Sequence, residues 1–368
     1  MFLYGKFLII ASGILVFCIV IEGRRARRNT DTLYLVHILF RHGERTPQRS
    51  YPKDIYGNET YPPYGYGELT NKGKLRMYDI GTSLRKRYGK FFGNIYNHSK
   101  IEARSSAFAR TRMSCELVMA SMFQPTESEE WNPELKWQPT LCDYVPAEED
   151  YVLLSERNCN VLPLKRAEIE KDRIIGVFAN YKEFFEYLSN HSGMEITTPA
   201  DVTPLYDILR CQNEMGMRLP NWTHSVFPDP MANLSILDWD YFVKTNDLKR
   251  LAGGILLKTI VDRTNEKILH NPEYEDKKVY IYSGHDSNIA PILSILNIYD
   301  SKIMPYGETI MIEVHRINKK FIVKVYLQDS DAWSPRYMPL PDCTKNCTLY
   351  KFIKSYEKFF GTKEMCLH

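Results

Sequence analysis

The chain has 368 residues, 44% of them hydrophobic, which is ample for one large core or two domains. Its formal net charge is only +3, so no global field points to nucleic acid as a partner. Lys6 gives the N-terminus a positive start, and Phe7 to Ile21 is an apolar run of 15 residues. That is short for a membrane span and typical of the apolar region of a secretory signal. Residues 1–23 are therefore expected to be a signal peptide. The cut site is imperfect, because Ile21-Glu22-Gly23 puts a bulky residue where a small one is preferred. Arg24, Arg25, Arg27 and Arg28 follow at once and disfavour translocation. The alternative is an uncleaved N-terminal anchor, the one way in which a membrane would enter.

Leu33 to Phe40 is apolar and β-branched and reads as a buried strand. The loop Arg41-His42-Gly43-Glu44-Arg45-Thr46-Pro47 follows it. Gly67 to Arg87 opens as a turn and becomes helical, with Arg85-Lys86-Arg87 suited to a helix C-terminus. Ile101 to Ala103 is a short strand, trailed by Arg104-Ser105-Ser106 and a helix over roughly Phe108 to Phe123. From about Thr140 to Arg250 strand signal is scarce, and the stretch reads as a mostly helical insertion. Val279 to Ser283 is a strand leading into His285-Asp286 and a helix from Asn288 to Leu296. Thr309 to His315 and Phe321 to Leu327 form a hairpin around Asn318-Lys319-Lys320. The expected architecture is α/β: a mostly parallel central sheet flanked by helices, with a smaller helical insertion. The α/β part spans 30–139 and 251–368, the insertion 140–250.

The N-x-Ser/Thr pattern occurs at Asn58, Asn97, Asn190, Asn221, Asn233 and Asn346. Behind a signal-like segment, this favours a secreted glycoprotein. Without Cys18 seven cysteines remain: Cys115, Cys142, Cys159, Cys211, Cys343, Cys347 and Cys366. An oxidising compartment allows up to three disulfides, and the odd number leaves one free thiol or an intermolecular bridge. No Cys-x-x-Cys pair supports zinc, and no cofactor is expected.

Three strand ends carry charged chemistry: Arg41-His42, Arg104 and His285-Asp286. In a parallel sheet such loops converge on one pocket. Arg41, Arg45 and Arg104 would hold a phosphate dianion with forked hydrogen bonds. A neutral His42 imidazole would attack phosphorus, Asp286 would protonate the leaving alkoxide, and His285 would donate to a phosphate oxygen. Arg110 reads as a structural ion-pair residue and stays outside this set. Glu44 either orients Arg45 or lies behind the site. Trp131, Trp137 and the Tyr51 to Tyr66 loop read as packing or entrance walls. His98, His191, His224 and His270 read as ordinary surface or core histidines.

These motifs resemble the histidine acid phosphatases, within the phosphoglycerate-mutase-like superfamily. Arg41 to Pro47 resembles the R-H-G-[DE]-R-x-P signature, and Ser283-Gly284-His285-Asp286 is similar to the second motif. Arg104-Ser105-Ser106 with Arg110-Thr111 is similar to a third, and Gly67-Glu68-Leu69-Thr70-Asn71-Lys72-Gly73 to a fourth. The branch resembled is that of the prostatic, lysosomal and insect venom acid phosphatases. The resemblance implies a phosphohistidine on His42, a clamp of Arg41, Arg45 and Arg104 helped by His285, Asp286 as proton donor, and often a homodimer. It implies bridges Cys159–Cys366 and Cys343–Cys347. Three departures stand out. Ala107, Phe108 and Ala109 replace residues that are often acidic. Gly284 stands where alanine is commoner. Thr309 stands where the partner of Cys211 would be, so Cys211 is free or paired with Cys115 or Cys142.

The expected function is a secreted acid phosphatase for phosphate monoesters, with a lysosomal destination as alternative. A cytosolic mutase-like phosphotransferase is disfavoured by the signal segment, the sequons and His285-Asp286. An inactive binding protein of the same fold is disfavoured by the intact set of charged residues. A narrower inositol-phosphate or lysophospholipid phosphatase is a further alternative, although no extra lysine cluster adjoins the motifs.

Overall fold

A computed structural model describes residues 32–174, 178–329, 334–343 and 346–367. The expected signal peptide, Cys18 and the Arg24 to Arg28 run lie outside the described residues. Among the described residues seven strands form one sheet: β1 (Leu33–Arg41), β2 (Ile101–Ser105), β3 (Asp143–Tyr144), β4 (Val279–Gly284), β5 (Thr309–Ile317), β6 (Lys320–Gln328) and β7 (Arg336–Met338). Their order is β3-β2-β4-β1-β5-β6-β7. The helices are α1 (Asn71–Phe92), α2 (Ala109–Met122), α3 (Ser155–Asn158), α4 (Val161–Ile174), α5 (Lys182–Ser192), α6 (Pro199–Glu214), α7 (Met231–Phe242), α8 (Asn246–Ile268), α9 (Asp286–Ile295) and α10 (Leu349–Tyr356).

The α/β architecture is as expected, with one refinement. The pairings β3–β2, β2–β4 and β4–β1 are parallel, but β1–β5, β5–β6 and β6–β7 are antiparallel. The sheet is therefore evenly mixed rather than mostly parallel. One antiparallel pair is local, β5 and β6 being joined by a tight turn in which Asn318 (φ 48°) and Lys319 (φ 63°) both take the left-handed conformation, whereas β1–β5 pairs segments far apart in the chain. A two-residue hairpin can only make an antiparallel pair. A further difference is β3, a two-residue strand inside the stretch read as helical. It adds to the sheet edge beside β2, with Arg104 opposite Asp143.

Strand alternation builds the core on both faces of the sheet. From β1, Leu35 and Leu39 enter the cluster under α8 and α9, while Val36, Ile38 and Phe40 enter the one under α1 and α2. A register shift between Leu33 and Leu35 puts Leu33 with the second set. A third cluster, with Leu188, Leu205, Leu209 and Leu234, lies among α5, α6 and α7. His37 is buried in the first face, its Nε2 2.9 Å from Thr264 Oγ1 and its ring stacked on Tyr280.

The register brings the carboxyl ends of the parallel strands level. Arg41 lies opposite Gly284, and Ser105 opposite Ser283. The loops that follow, His42 onward, Ser106 onward and His285 onward, therefore open at one edge.

Candidate active site

The loop after β1 is held by the turn that precedes α1. Thr70 caps α1, its Oγ1 accepting from Gly73 N at 3.0 Å. The same hydroxyl donates to Glu44 Oε1 at 3.0 Å, and Lys72 Nζ lies 2.8 Å from Glu44 Oε2. Glu44 thus ties its loop to α1, while the ion pair of Arg45 is made with Asp207. A Cβ on Gly73 would lie 2.0 Å from Glu44 O, and one on Gly43 2.5 Å from Gly73 O. The two glycine motifs are one backbone-to-backbone contact.

His42 is buried, and its Nδ1 lies 2.8 Å from Gly43 O. A carbonyl only accepts, so Nδ1 carries the proton and Nε2 keeps a lone pair. The imidazolium is disfavoured well below the ordinary histidine value, first by burial, then by Arg110, Arg41, His285 and Arg45. His285 is lowered likewise by burial and by Arg110, Arg41 and Arg45. The two rings sit edge to face, 5.5 Å apart. His285 Nε2 is 2.8 Å from Ser106 Oγ, itself 2.7 Å from Thr111 Oγ1, and at the start of α9 the Asn288 side chain accepts from His285 N at 2.9 Å.

Arg41 is buried over the Tyr306 ring at 4.3 Å. It donates to Met304 O and pairs with Asp286 Oδ2 at 2.6 Å. Arg45 pairs with Asp207 Oδ2 at 2.8 Å and lies 3.4 Å from Cys211 Sγ. Asp286 is the first residue of α9, where an acidic group suits the helix dipole. Arg41, His42, Arg45, His285 and Asp286 line a cavity of about 520 Å³. Arg49, Arg110, Arg157, Arg210, Phe108, Tyr206, Asp207 and Trp239 complete much of its wall.

Arg104 is not in this wall. It lies within β2, opposite Tyr282, so its side chain leaves from a face of the sheet rather than from the strand end. Its Nη2 binds Asp150 Oδ1 at 2.5 Å, and that buried oxygen also accepts from Leu153 N at 2.9 Å. The Arg104–Asp150 pair braces the 150–154 turn, whose Leu153 carbonyl accepts from Asn288 of α9. The third cavity arginine near His42 is Arg110, in the first turn of α2. No carboxylate among the described residues pairs with it. Burial and the nearby Arg45 lower it to about 10. Both arginines belong to the third motif in the sequence, and Arg104 is the one nearer the expected strand end. The strand runs two residues further than expected, which carries Arg104 into the sheet. Asp207 and Tyr306 were not foreseen, because both come from segments without a motif and reach the site only through folding.

The structure joins Cys159 to Cys366, Cys343 to Cys347, and Cys115 to Cys142. Cys211 is a free, buried thiol, pushed up to about 12 chiefly by burial. Its Sγ is 3.4 Å from the Tyr306 hydroxyl. Five sequon asparagines are exposed, and Asn97 is half-buried with Oδ1 accepting from Ser99.

A sequence profile of the histidine phosphatase superfamily (branch 2) matches residues 32–328. The venom acid phosphatase of Apis mellifera is 33% identical over 89% of this chain and 86% of its own. The human lysosomal acid phosphatase is 31% identical over 92% and 80% of the two chains. The prostatic acid phosphatase of Rattus norvegicus is 31% identical over 94% and 91%. In fold, the chain is similar to the phytase of Hafnia alvei in complex with tartrate, with a TM-score of 0.66 over 91% of this chain and 98% of that one at 16% identity.

Proposed function

We propose, from the premise that the chain belongs to branch 2 of the histidine phosphatase superfamily and is a phosphoric monoester hydrolase, that turnover runs through a phosphohistidine on His42. The observation that carries this reading is the buried imidazole fixed by Gly43 O, with its Nε2 lone pair free among arginines. Arg41, Arg45 and Arg110 bind the dianion, and His285 adds a hydrogen bond. Arg110 takes the place first given to Arg104, which Asp150 already occupies. The His42 Nε2 lone pair forms a bond to phosphorus as the ester P–O bond breaks. The leaving alkoxide takes its proton from Asp286. Water then attacks phosphorus, Asp286 takes a proton from it, and the P–N bond returns its electrons to His42. The equatorial charge is met by guanidiniums already in place, which lowers the barrier without reorganisation.

Binding and release share partners. A dianion that takes over a bond of Arg41 frees the Asp286 carboxyl to turn toward the leaving oxygen. The segment 140–250 serves as the cap over the substrate, through Tyr206, Asp207 and Trp239. The enzyme is read as a secreted glycoprotein with glycans on Asn58, Asn97, Asn190, Asn221, Asn233 and Asn346. A lysosomal destination is the alternative. Homodimerisation follows from family likeness.

The test is brief labelling with a phosphorus-tagged monoester in mild acid without added metal. An acid-labile, base-stable adduct is expected, absent in His42→Ala. An acid-stable adduct, or wild-type turnover in that variant, overturns the mechanism. Asp286→Asn should slow poor leaving groups more than good ones. A shift in electrophoretic mobility on endoglycosidase treatment of the secreted protein tests the glycans.

A second reading concerns the substrate. Arg49 and Arg157 line the cavity beyond the clamp, and Arg49 has no ion-pair partner among the described residues. This favours esters with a second anionic group. Their kcat/KM should exceed that of a matched neutral monoester and fall in Arg49→Ala.

A further inference from the structure

We propose that the Phe108 ring is the positioning residue for Arg110, holding by a cation–π contact a phosphate-binding guanidinium that no carboxylate pins. This rests on the reading of Arg110 as part of the clamp. Three observations support it. First, Phe108 occupies the N-cap of α2 and makes no side-chain cap bond there. Ser, Thr, Asp or Asn would normally satisfy that helix end. Second, the ring is engaged in the cavity wall instead. Its face carries Arg110 at 4.5 Å from Cζ to centroid, its edge meets the His285 ring at 5.4 Å and 89°, and Arg157 lies at 5.9 Å. Third, Arg110 is otherwise poorly held. Its Nε is buried without a partner, and the alanines at 107 and 109 offer it no carboxylate.

The physical consequence follows from the kind of hold. Arg41 and Arg45 each spend part of their charge on a carboxylate, Asp286 and Asp207. An aromatic face orients a guanidinium without neutralising it and without occupying its in-plane donors. Arg110 therefore meets the incoming dianion with all its N–H groups uncommitted. The Phe108 backbone is itself fixed, since its carbonyl accepts from Thr111 Oγ1 at 2.8 Å.

A double-mutant cycle on the full chain tests this, read by KM for a chromogenic monoester and by the calorimetric Kd for inorganic phosphate. Phe108→Leu should raise both about fivefold, with kcat changed less than about twofold. Phe108→Tyr, which keeps the ring, should restore both; Phe108→Met serves if Leu lowers the melting temperature. In the Arg110→Ala background, Phe108→Leu should add nothing. Full additivity, or an unchanged phosphate Kd in Phe108→Leu and Phe108→Met, overturns the proposal. An unchanged phosphate Kd in Arg110→Ala overturns the clamp reading instead, so the two failures are distinct.

Discussion

The imidazole of His42 stays neutral where an ordinary histidine is half protonated, because burial and four cationic or ring neighbours all penalise the imidazolium. For a nucleophile the sign is favourable. A histidine titrating near 6.5 would lose about tenfold in rate per pH unit below that value. Here kcat/KM should show no such limb between pH 6.5 and about 5, which a pH–rate profile with a good leaving group measures. The two arginines of the third motif should separate by assay. Arg110→Ala should raise KM and the inhibition constant of phosphate about tenfold or more, with the fold intact. Arg104→Ala leaves the buried Asp150 charge unpaired and should cost roughly 3 kcal/mol in urea unfolding, with KM nearly unchanged. Both arginines stand in the sequence with equal prominence. Only the two-residue extension of β2 shows which one the sheet consumes.

At the scale of elements, the start of α1 and the loop after β1 act as one unit. Thr70 caps the helix and donates to Glu44, and the backbone of Gly73 sits against that of Glu44. Thr70→Ala should lower stability by about 1 kcal/mol through the lost cap, with a modest loss of kcat. Gly73→Ala cannot be absorbed by a rotamer change, because the clash is with backbone. It should displace the Arg41 to Arg45 loop and cut kcat/KM by tenfold or more, as steady-state kinetics would show. The strands and helices around the site were readable because their signals are local: apolar alternation in β1, a short apolar run in β4, and a polar turn between β5 and β6. The two-residue β3 was not, since a pair of exposed residues carries no period.

Across the whole molecule, burial of titratable groups sets the response to acid. His37 is held at about 3, chiefly by burial. Its folded value lies below the unfolded one, so the unfolded chain binds the proton first. Stability is full above 6.5 and falls by roughly 1.4 kcal/mol per pH unit as pH drops from there toward 3. Glu308 works in the opposite direction. Burial raises it to about 7 against the pull of Lys302, whose Nζ is 2.8 Å away. The folded state therefore takes up its proton first, and this contribution grows as pH falls from about 7 to 4.5. In urea unfolding at several pH values, His37→Gln should flatten the loss of stability below pH 6.5. Glu308→Gln should steepen it between pH 7 and 4.5.

The α/β class, the nucleophile loop, the His285-Asp286 pair after its strand and the family are legible in the amino-acid order alone, because each rests on contiguous residues with a period or a motif. The two disulfides implied by likeness, Cys159–Cys366 and Cys343–Cys347, are joined in the structure. The antiparallel β1–β5 pairing that leaves the sheet evenly mixed, the pairing of Arg104 with Asp150 while Arg110 faces the cavity, and the Cys115–Cys142 bond that leaves Cys211 against Arg45 emerge only on folding. Those outcomes depend on which side chain meets which across distant segments. That is fixed by packing and by the need to pair buried charge, and no local pattern encodes it.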